Sequence, residues 1–463
     1  MHAKTLVWLG TLVMLVTGAT RLASAGQSVQ TDGTTPLHEA AHVDDIQAMT
    51  RLIAAGADVT AANRYGVTPL WLACLNGSAA AIELLLKAGA DANAVLPGGE
   101  TVLMTAARTG KPDAVNVLLR HGASVNAKEG WRGQTALMWA AAEGHAAVIE
   151  ALVAQGADVH ARSNGGFTAL LFAAREGQIA ASKALVAAGA NLNDAIPSTT
   201  PIDEPAPDET TPGPPEAGLN VFLLATANAH FELAAWLLDQ GAEPNTAPRG
   251  WTALHQISWV RKMGIAGSND PAPPGSGNMT SLDFVRKLVA KGADINARAT
   301  KPPQMGLTTL NSIGATPFLL AARTADFELM RLLVELGADP KLPNEDNTTP
   351  LMVAAGVGTQ NPGEDPGTEP EVLEAVKIAL ELGNDLNAVD KNGETAMHGA
   401  ALKHAPSVVR YLAERGARMD VWNRPDKRGW TPLKIAEGVQ RGMNIISSPA
   451  TEAAIREVMK SGR

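Results

Sequence analysis

A glycine that closes an apolar run recurs along this chain at Gly56, Gly89, Gly122, Gly156, Gly189, Gly241, Gly292, Gly337, Gly383 and Gly416. The steps between them are 33, 33, 34, 33, 52, 51, 45, 46 and 33 residues. In seven copies the residue after an opening threonine lies 20 residues before that copy's glycine: Pro36, Pro69, Val102, Ala136, Ala169, Pro317 and Ala396. A unit of 33 residues is too short to bury its own apolar surface, so the copies must stack on one another.

One unit is legible in residues 66–94, GVTPLWLACLNGSAAAIELLLKAGADANA. Thr68 is an N-cap, and Pro69 fits the first helical turn, where a missing N–H costs nothing. The pattern predicts a short helix over Leu70 to Leu75, a break at Asn76-Gly77, and a second helix over Ala80 to Lys87 with one apolar face. Gly89 then ends the second helix in the left-handed conformation. Aromatic residues are only 4% of the chain, which suits small helices in close contact and an all-α fold.

The same signature returns as TPLHEAA at Thr35 to Ala41, TPLWLAC at Thr68 to Cys74, and TALMWAA at Thr135 to Ala141 with GADVHA at Gly156 to Ala161. TPFLLAA and TAMHGAA, the latter followed by RGARMDV, repeat it further on. On these residues the chain resembles the ankyrin-repeat family, in the manner of a secreted bacterial-type member. The resemblance covers residues 32–463 and implies a curved solenoid of about ten to eleven helix-turn-helix units with β-turn fingers between them. Histidine fills the TPLH slot only at His38, His255 and His398; Trp71, Met104, Met138, Leu171 and Met352 stand elsewhere. The inter-repeat hydrogen bonding that the resemblance implies for this slot is therefore expected to give way largely to apolar packing. Repeat six takes Asn220 as its N-cap, and the last unit, from Arg428, runs through Ser447-Ser448-Pro449 into a C-terminal cap.

The expected organisation is a leader at 1–25, repeats one to five at 26–193, an insertion at 194–217, and repeats six to eleven at 218–463. Further insertions fall at 262–280, 299–313 and 356–370. The first insertion carries seven prolines and six acids with no base and reads as a solvated loop. The other three contain Met263, Ile265, Met279, Met305, Leu307, Leu310 and Ile313, and are expected to pack partly on the repeats.

Lys4, the apolar run Leu6 to Ala19 and the small residues Ala23-Ser24-Ala25 read as a cleaved secretory signal, so a secreted or periplasmic protein is expected, with no membrane-spanning segment after cleavage. Removing Lys4 and Arg21 leaves 36 basic against 47 acidic side chains, a formal charge of −11. Such a surface repels phosphate and speaks against nucleic acid as a partner. The single cysteine, Cys74, stands where other copies have Ala107 or Ala141, and reads as a small core residue.

One stretch raises a rival. HEAAH, from His38 to His42, matches the H-E-x-x-H signature of a zinc hydrolase. Its first histidine belongs to the repeat signature, the helix is about two turns long, and no third ligand follows at a zincin spacing, so no metal, cofactor or catalytic residue is expected. His121, His145, His160, His230 and His404 read as solvated turn and helix-end residues, and Glu364, Asp365, Glu369 and Glu371 as a solvated acidic loop.

What remains is a binding module, a monomer that docks another protein on the face the resemblance implies is concave. Candidate contacts on the fingers are Arg64 and Tyr65, Trp131 and Arg132, Arg249 and Trp251, and Trp430. Exposed first-helix positions add Arg108, Trp139, Glu143, Arg175, Glu176, Trp259 and Arg323. Tryptophan and arginine are the residues most enriched at binding hot spots. The alternative to a scaffold in the exported compartment is an effector delivered to a host cell.

Overall fold

The computed structural model describes residues 30–197, 217–262, 273–302, 308–441 and 444–462. The leader, residues 198–216, and Met263, Ile265, Met305 and Leu307 lie outside the described residues. The described chain divides into two compact units, one of residues 30–173 with 180–191, the other of 174–179, 192–197 and the described residues from 217 onward.

In the first unit Pro36–His42 pairs with Ile46–Ala54, Pro69–Asn76 with Ala79–Lys87, Val102–Ala107 with Pro112–Arg120, and Ala136–Ala142 with Ala146–Ala154. Each first helix starts where a threonine oxygen, on Thr35, Thr68, Thr101 or Thr135, accepts the N–H three residues on. First helices then pack on the next first helix and second helices on the next second helix. The repeat is visible in the core, where Leu37, Leu70, Leu103 and Leu137 are each about 1% exposed. Each such leucine contributes about 2 kcal/mol by leaving water. Gly56, Gly89, Gly122 and Gly156 hold φ between +84° and +100° after the second helix, and an added Cβ would meet nothing within 4 Å. The left-handed backbone, not crowding, selects glycine there.

Repeats are also stitched by asparagines of the G-A-D-x-N signature. Asn93 Nδ2 donates to Gly122 O at 3.0 Å while its Oδ1 accepts Ser124 N–H at 2.8 Å. Asn126 repeats this with Gly156 O and Asp158 N–H, at 3.0 and 2.8 Å.

The second unit continues with Val221–Ala227 and Phe231–Asp239, Ala253–Arg261 and Ser281–Ala290, Pro317–Arg323 and Phe327–Glu335, Pro350–Ala355 and Glu369–Glu381, and Ala396–Lys403 and Pro406–Glu414. Its core is more aromatic, with Phe284 stacked 5.4 Å from Phe231 and tilted 6.3 Å from Phe222. The insertions pack against it where they are described. Leu310 is 8% exposed and lies on Gly358, beside an antiparallel bridge between Thr308 and Thr359. Ser276 Oγ donates to Gly177 O at 3.0 Å, and Asn278 N–H to Glu232 Oε2 at 2.8 Å. At the root of the acidic insertion, Ile196 and Leu219 are joined by a 2.9 Å backbone bond. The end of the chain departs from all-α only in a small hairpin, Val439–Arg441 against Asn444–Ile446, before the closing helix Pro449–Ser461 capped by Ser448.

Candidate protein-interaction surface

The apparent metal motif is a structural device. His38 is buried, its Nδ1 accepts the Thr35 N–H at 3.2 Å, and its Nε2–H donates to Val67 O in the next repeat at 2.9 Å. With both ring nitrogens engaged it has no lone pair for zinc. His255 and His398 do the same, donating to Ala315 O and Trp430 O at 3.1 and 3.2 Å, and burial pushes both down to about 4. Where apolar residues hold the slot, Met104, Met138, Leu171 and Met352 are at most 1% exposed. Cys74 is likewise core, its thiol pushed up by burial. The described residues hold no group of three or more potential metal ligands.

Two histidines expected to be solvated are instead inter-repeat donors. His145 Nε2 lies 3.0 Å from Arg108 O, and His230, 8% exposed, lies 2.9 Å from Arg175 O. The position before the second helix reaches back to the open end of the preceding first helix, whose last carbonyls need partners. Lys111 serves there too, its Nζ 2.9 Å from Asn76 O. The recurring polar residue at that position was the signal.

In the first unit the candidates lie at or near the surface. Trp131 is 75% exposed with the Arg132 guanidinium 4.3 Å from its ring centre; Tyr65 is 44% exposed with Arg64 4.6 Å from its ring. Arg108 covers Trp139 from the neighbouring repeat at 5.2 Å, and Glu143 is exposed. None of Arg64, Arg108 and Arg132 forms an ion pair among the described residues. The carboxylates nearest in sequence are otherwise engaged. Glu129 accepts the N–H groups of Trp131, Arg132 and Gln134 at 2.6, 2.7 and 3.1 Å, and Glu100 accepts the Thr105 hydroxyl at 2.7 Å.

The candidates of the second unit fare differently. Arg175 is paired with Glu176 at 2.9 Å. Trp251, expected on a fingertip, is only 4% exposed, edge-on to Trp259 at 5.1 Å with Arg249 5.6 Å from its ring. Arg323, expected exposed, is 6% exposed and bonded to Asp365 at 3.2 Å. Asp365 also takes Lys403 at 3.3 Å and the Thr359 hydroxyl at 2.5 Å, so the acidic run that read as solvated contributes a buried counter-ion. Arg428 lies 4.3 Å from the half-buried Trp430 ring and binds Glu394 and Asp426, both at 2.6 Å.

Stacked helix pairs joined by backbone-bonded fingers, with chemistry confined to exposed side chains, define a repeat-built binding protein. The family described as "Ankyrin repeats (3 copies)" matches residues 11–96, 37–129, 84–163, 103–196 and 369–445, and "Ankyrin repeat" matches 313–345. These matches cover more than half of the chain, which belongs to the ankyrin-repeat family, a scaffold for protein–protein interaction. The chain is 31% identical over 251 residues to human Ankyrin repeat and SOCS box protein 16, covering 48% of each. It is 34% identical over 243 residues to Neurogenic locus notch homolog protein 1 of Xenopus tropicalis, covering 48% of this chain and 9% of that protein. The matches thus span half or less of those relatives. Among solved structures, the human ASB11 ankyrin repeat domain aligns at 25% identity with a TM-score of 0.43, over 56% of this chain and 99% of that one. Among the described residues no helix is long and apolar enough to cross a membrane.

Proposed function

We propose that this chain is an exported scaffold that docks a partner protein on the tips and exposed first-helix positions of residues 30–173, with no catalysis of its own. One observation carries the reading: Arg64, Arg108 and Arg132 rest on aromatic rings with no carboxylate of the chain to neutralise them, beside a Trp131 that is 75% exposed. Side chains already held against a ring lose little freedom when a partner covers them, and arginine and tryptophan supply much of the energy at such interfaces.

Capture from the exported fraction of its source, with residues 26–463 as bait, tests the docking. A bait carrying Arg64→Ala, Arg108→Ala, Trp131→Ala and Arg132→Ala is run alongside, with circular dichroism to show that both fold. A protein retained by the first and lost by the second supports the surface; equal retention places docking elsewhere. Export rests on the leader alone. Amino-terminal sequencing of the exported chain should begin at Gly26, and a chain retained in the cytoplasm with Met1 in place would sink that part of the reading.

A further inference from the structure

The fingers of the first unit form a backbone-bonded row. Arg64 N–H donates to Asp32 O at 2.9 Å, Gly130 N–H to Gly98 O at 3.3 Å, and Asn164 N–H to Arg132 O at 2.8 Å. The approach is close enough that a Cβ on Gly99 would stand 2.6 Å from the Gly130 nitrogen. Because backbone faces backbone between neighbours, the tip side chains are left to point outward. Those side chains are Arg64, Tyr65, Trp131 and Arg132.

The charge along this row runs against that of the chain. The sequence carries a formal charge of −9, yet the acids among these fingers are covered, Glu100 and Glu129 each being 8% exposed and already hydrogen-bonded. Asp32, on the first finger, is held below the usual carboxylate range by the N–H and hydroxyl of Thr34, with Arg64 adding a smaller attraction. Arg64 and Arg132 stack on Tyr65 and Trp131 instead of pairing with an acid. A guanidinium stacked on a ring keeps its N–H edge free, and that edge matches a carboxylate with two parallel bonds.

We infer that this finger row binds an extended acidic segment of the partner, its carboxylates seated on Arg64 and Arg132 and an apolar side chain laid against Trp131. The inference rests on the docking reading above and names the chemistry of the ligand. Arg64 and Arg132 lie two repeats apart, and packed helices are spaced by about 8–10 Å, so the two sites are separated by roughly 16–20 Å. An extended chain rises about 3.3 Å per residue, so the carboxylates that fill both sites are about five or six residues apart.

The test uses the whole chain and a fluorescein-labelled peptide of four Glu-Pro-Val triplets, which places carboxylates at that spacing, beside the same peptide with Gln for Glu. Fluorescence anisotropy should show binding of the Glu peptide alone, weakened by salt. Arg64→Ala with Arg132→Ala should weaken it about tenfold or more, and Trp131→Ala should weaken it as well. Arg64→Lys with Arg132→Lys retains the charge and removes the paired donors, so an intermediate loss is expected; it also serves if the alanine variant fails to fold. No binding of the Glu peptide, equal binding of the Gln peptide, or indifference to both arginine variants overturns the inference. Tighter binding of phosphatidylserine vesicles or of oligothymidylate through the same arginines overturns it in favour of a membrane or a nucleic acid. If the capture experiment yields a partner through Arg64 and Arg132 while the Glu peptide does not bind, the docking reading stands and the acidic ligand alone falls.

Discussion

The two units handle positive charge in opposite ways. In residues 30–173, arginines of the fingers and first helices lie on aromatic rings and meet no acid. In the second unit the corresponding cations are met by carboxylates: Arg261 by Asp326 at 2.6 Å, Lys262 by Glu371 at 2.7 Å, Arg323 and Lys403 by Asp365 at 3.2 and 3.3 Å, and Arg428 by Glu394 at 2.6 Å. Asp365 comes from an insertion, and Glu371 opens the helix that follows it. Insertions therefore do more here than lengthen loops. They supply counter-ions that turn recognition-type residues into internal ones, and the first unit, whose repeats keep the uninterrupted 33-residue rhythm, retains its free arginines.

The sharpest way to break this comparison is Asp365→Ala. It leaves Arg323 and Lys403, each at most 9% exposed, without their shared acid, and should lower stability by about 3–5 kcal/mol in urea unfolding. A loss under about 1 kcal/mol would mean that the insertion holds no essential counter-ion. Next comes the pair of tryptophans: Trp251→Ala should cost about 3–5 kcal/mol by opening a cavity, whereas Trp131→Ala should change stability by less than about 0.5 kcal/mol and act only on binding. Thermal melting of both variants, read beside capture, decides it.

A smaller effect separates the units by pH. Burial carries Glu394 up to about 7, helped by the neighbouring Asp390 and Asp426 and opposed by Arg428. A carboxyl raised in the fold favours folding below its ordinary value of 4.5, and that contribution is lost as pH rises toward 7. His255 and His398, pushed down by burial to about 4 from 6.5, act in the other sense, and their contribution is lost as pH falls through that interval. Glu394→Gln should therefore make the loss of stability on acidification between pH 6.5 and 4.5 steeper, as read by chemical unfolding at several pH values. The smallest effect expected is on the first unit: Arg64→Ala should leave stability within about 0.5 kcal/mol of the parent, because its exposed guanidinium neutralises no buried charge.

Much of the fold is legible without coordinates because its signals are local. A threonine N-cap, a proline in the first turn and a glycine that must turn left-handed lie within about twenty residues of one another, and their recurrence marks each unit. The asparagine that stitches repeats, Asn93 or Asn126, could have been read in the same way from its fixed place after the glycine. Long-range side-chain partners are another matter. Arg108 and Arg323 occupy the same position after their threonines, yet one covers a tryptophan and the other is buried against an acid 42 residues further on.

The sequence by itself determined the repeating unit, its helix boundaries and the stacking of the copies, since a 33-residue period leaves each copy no other way to bury its leucines. Tertiary structure alone decided which arginines and tryptophans remain available to a partner. The physical reason is that a charged side chain is neutralised by whatever carboxylate the fold brings within about 4 Å, and in an inserted loop that neighbour is set by packing, not by period.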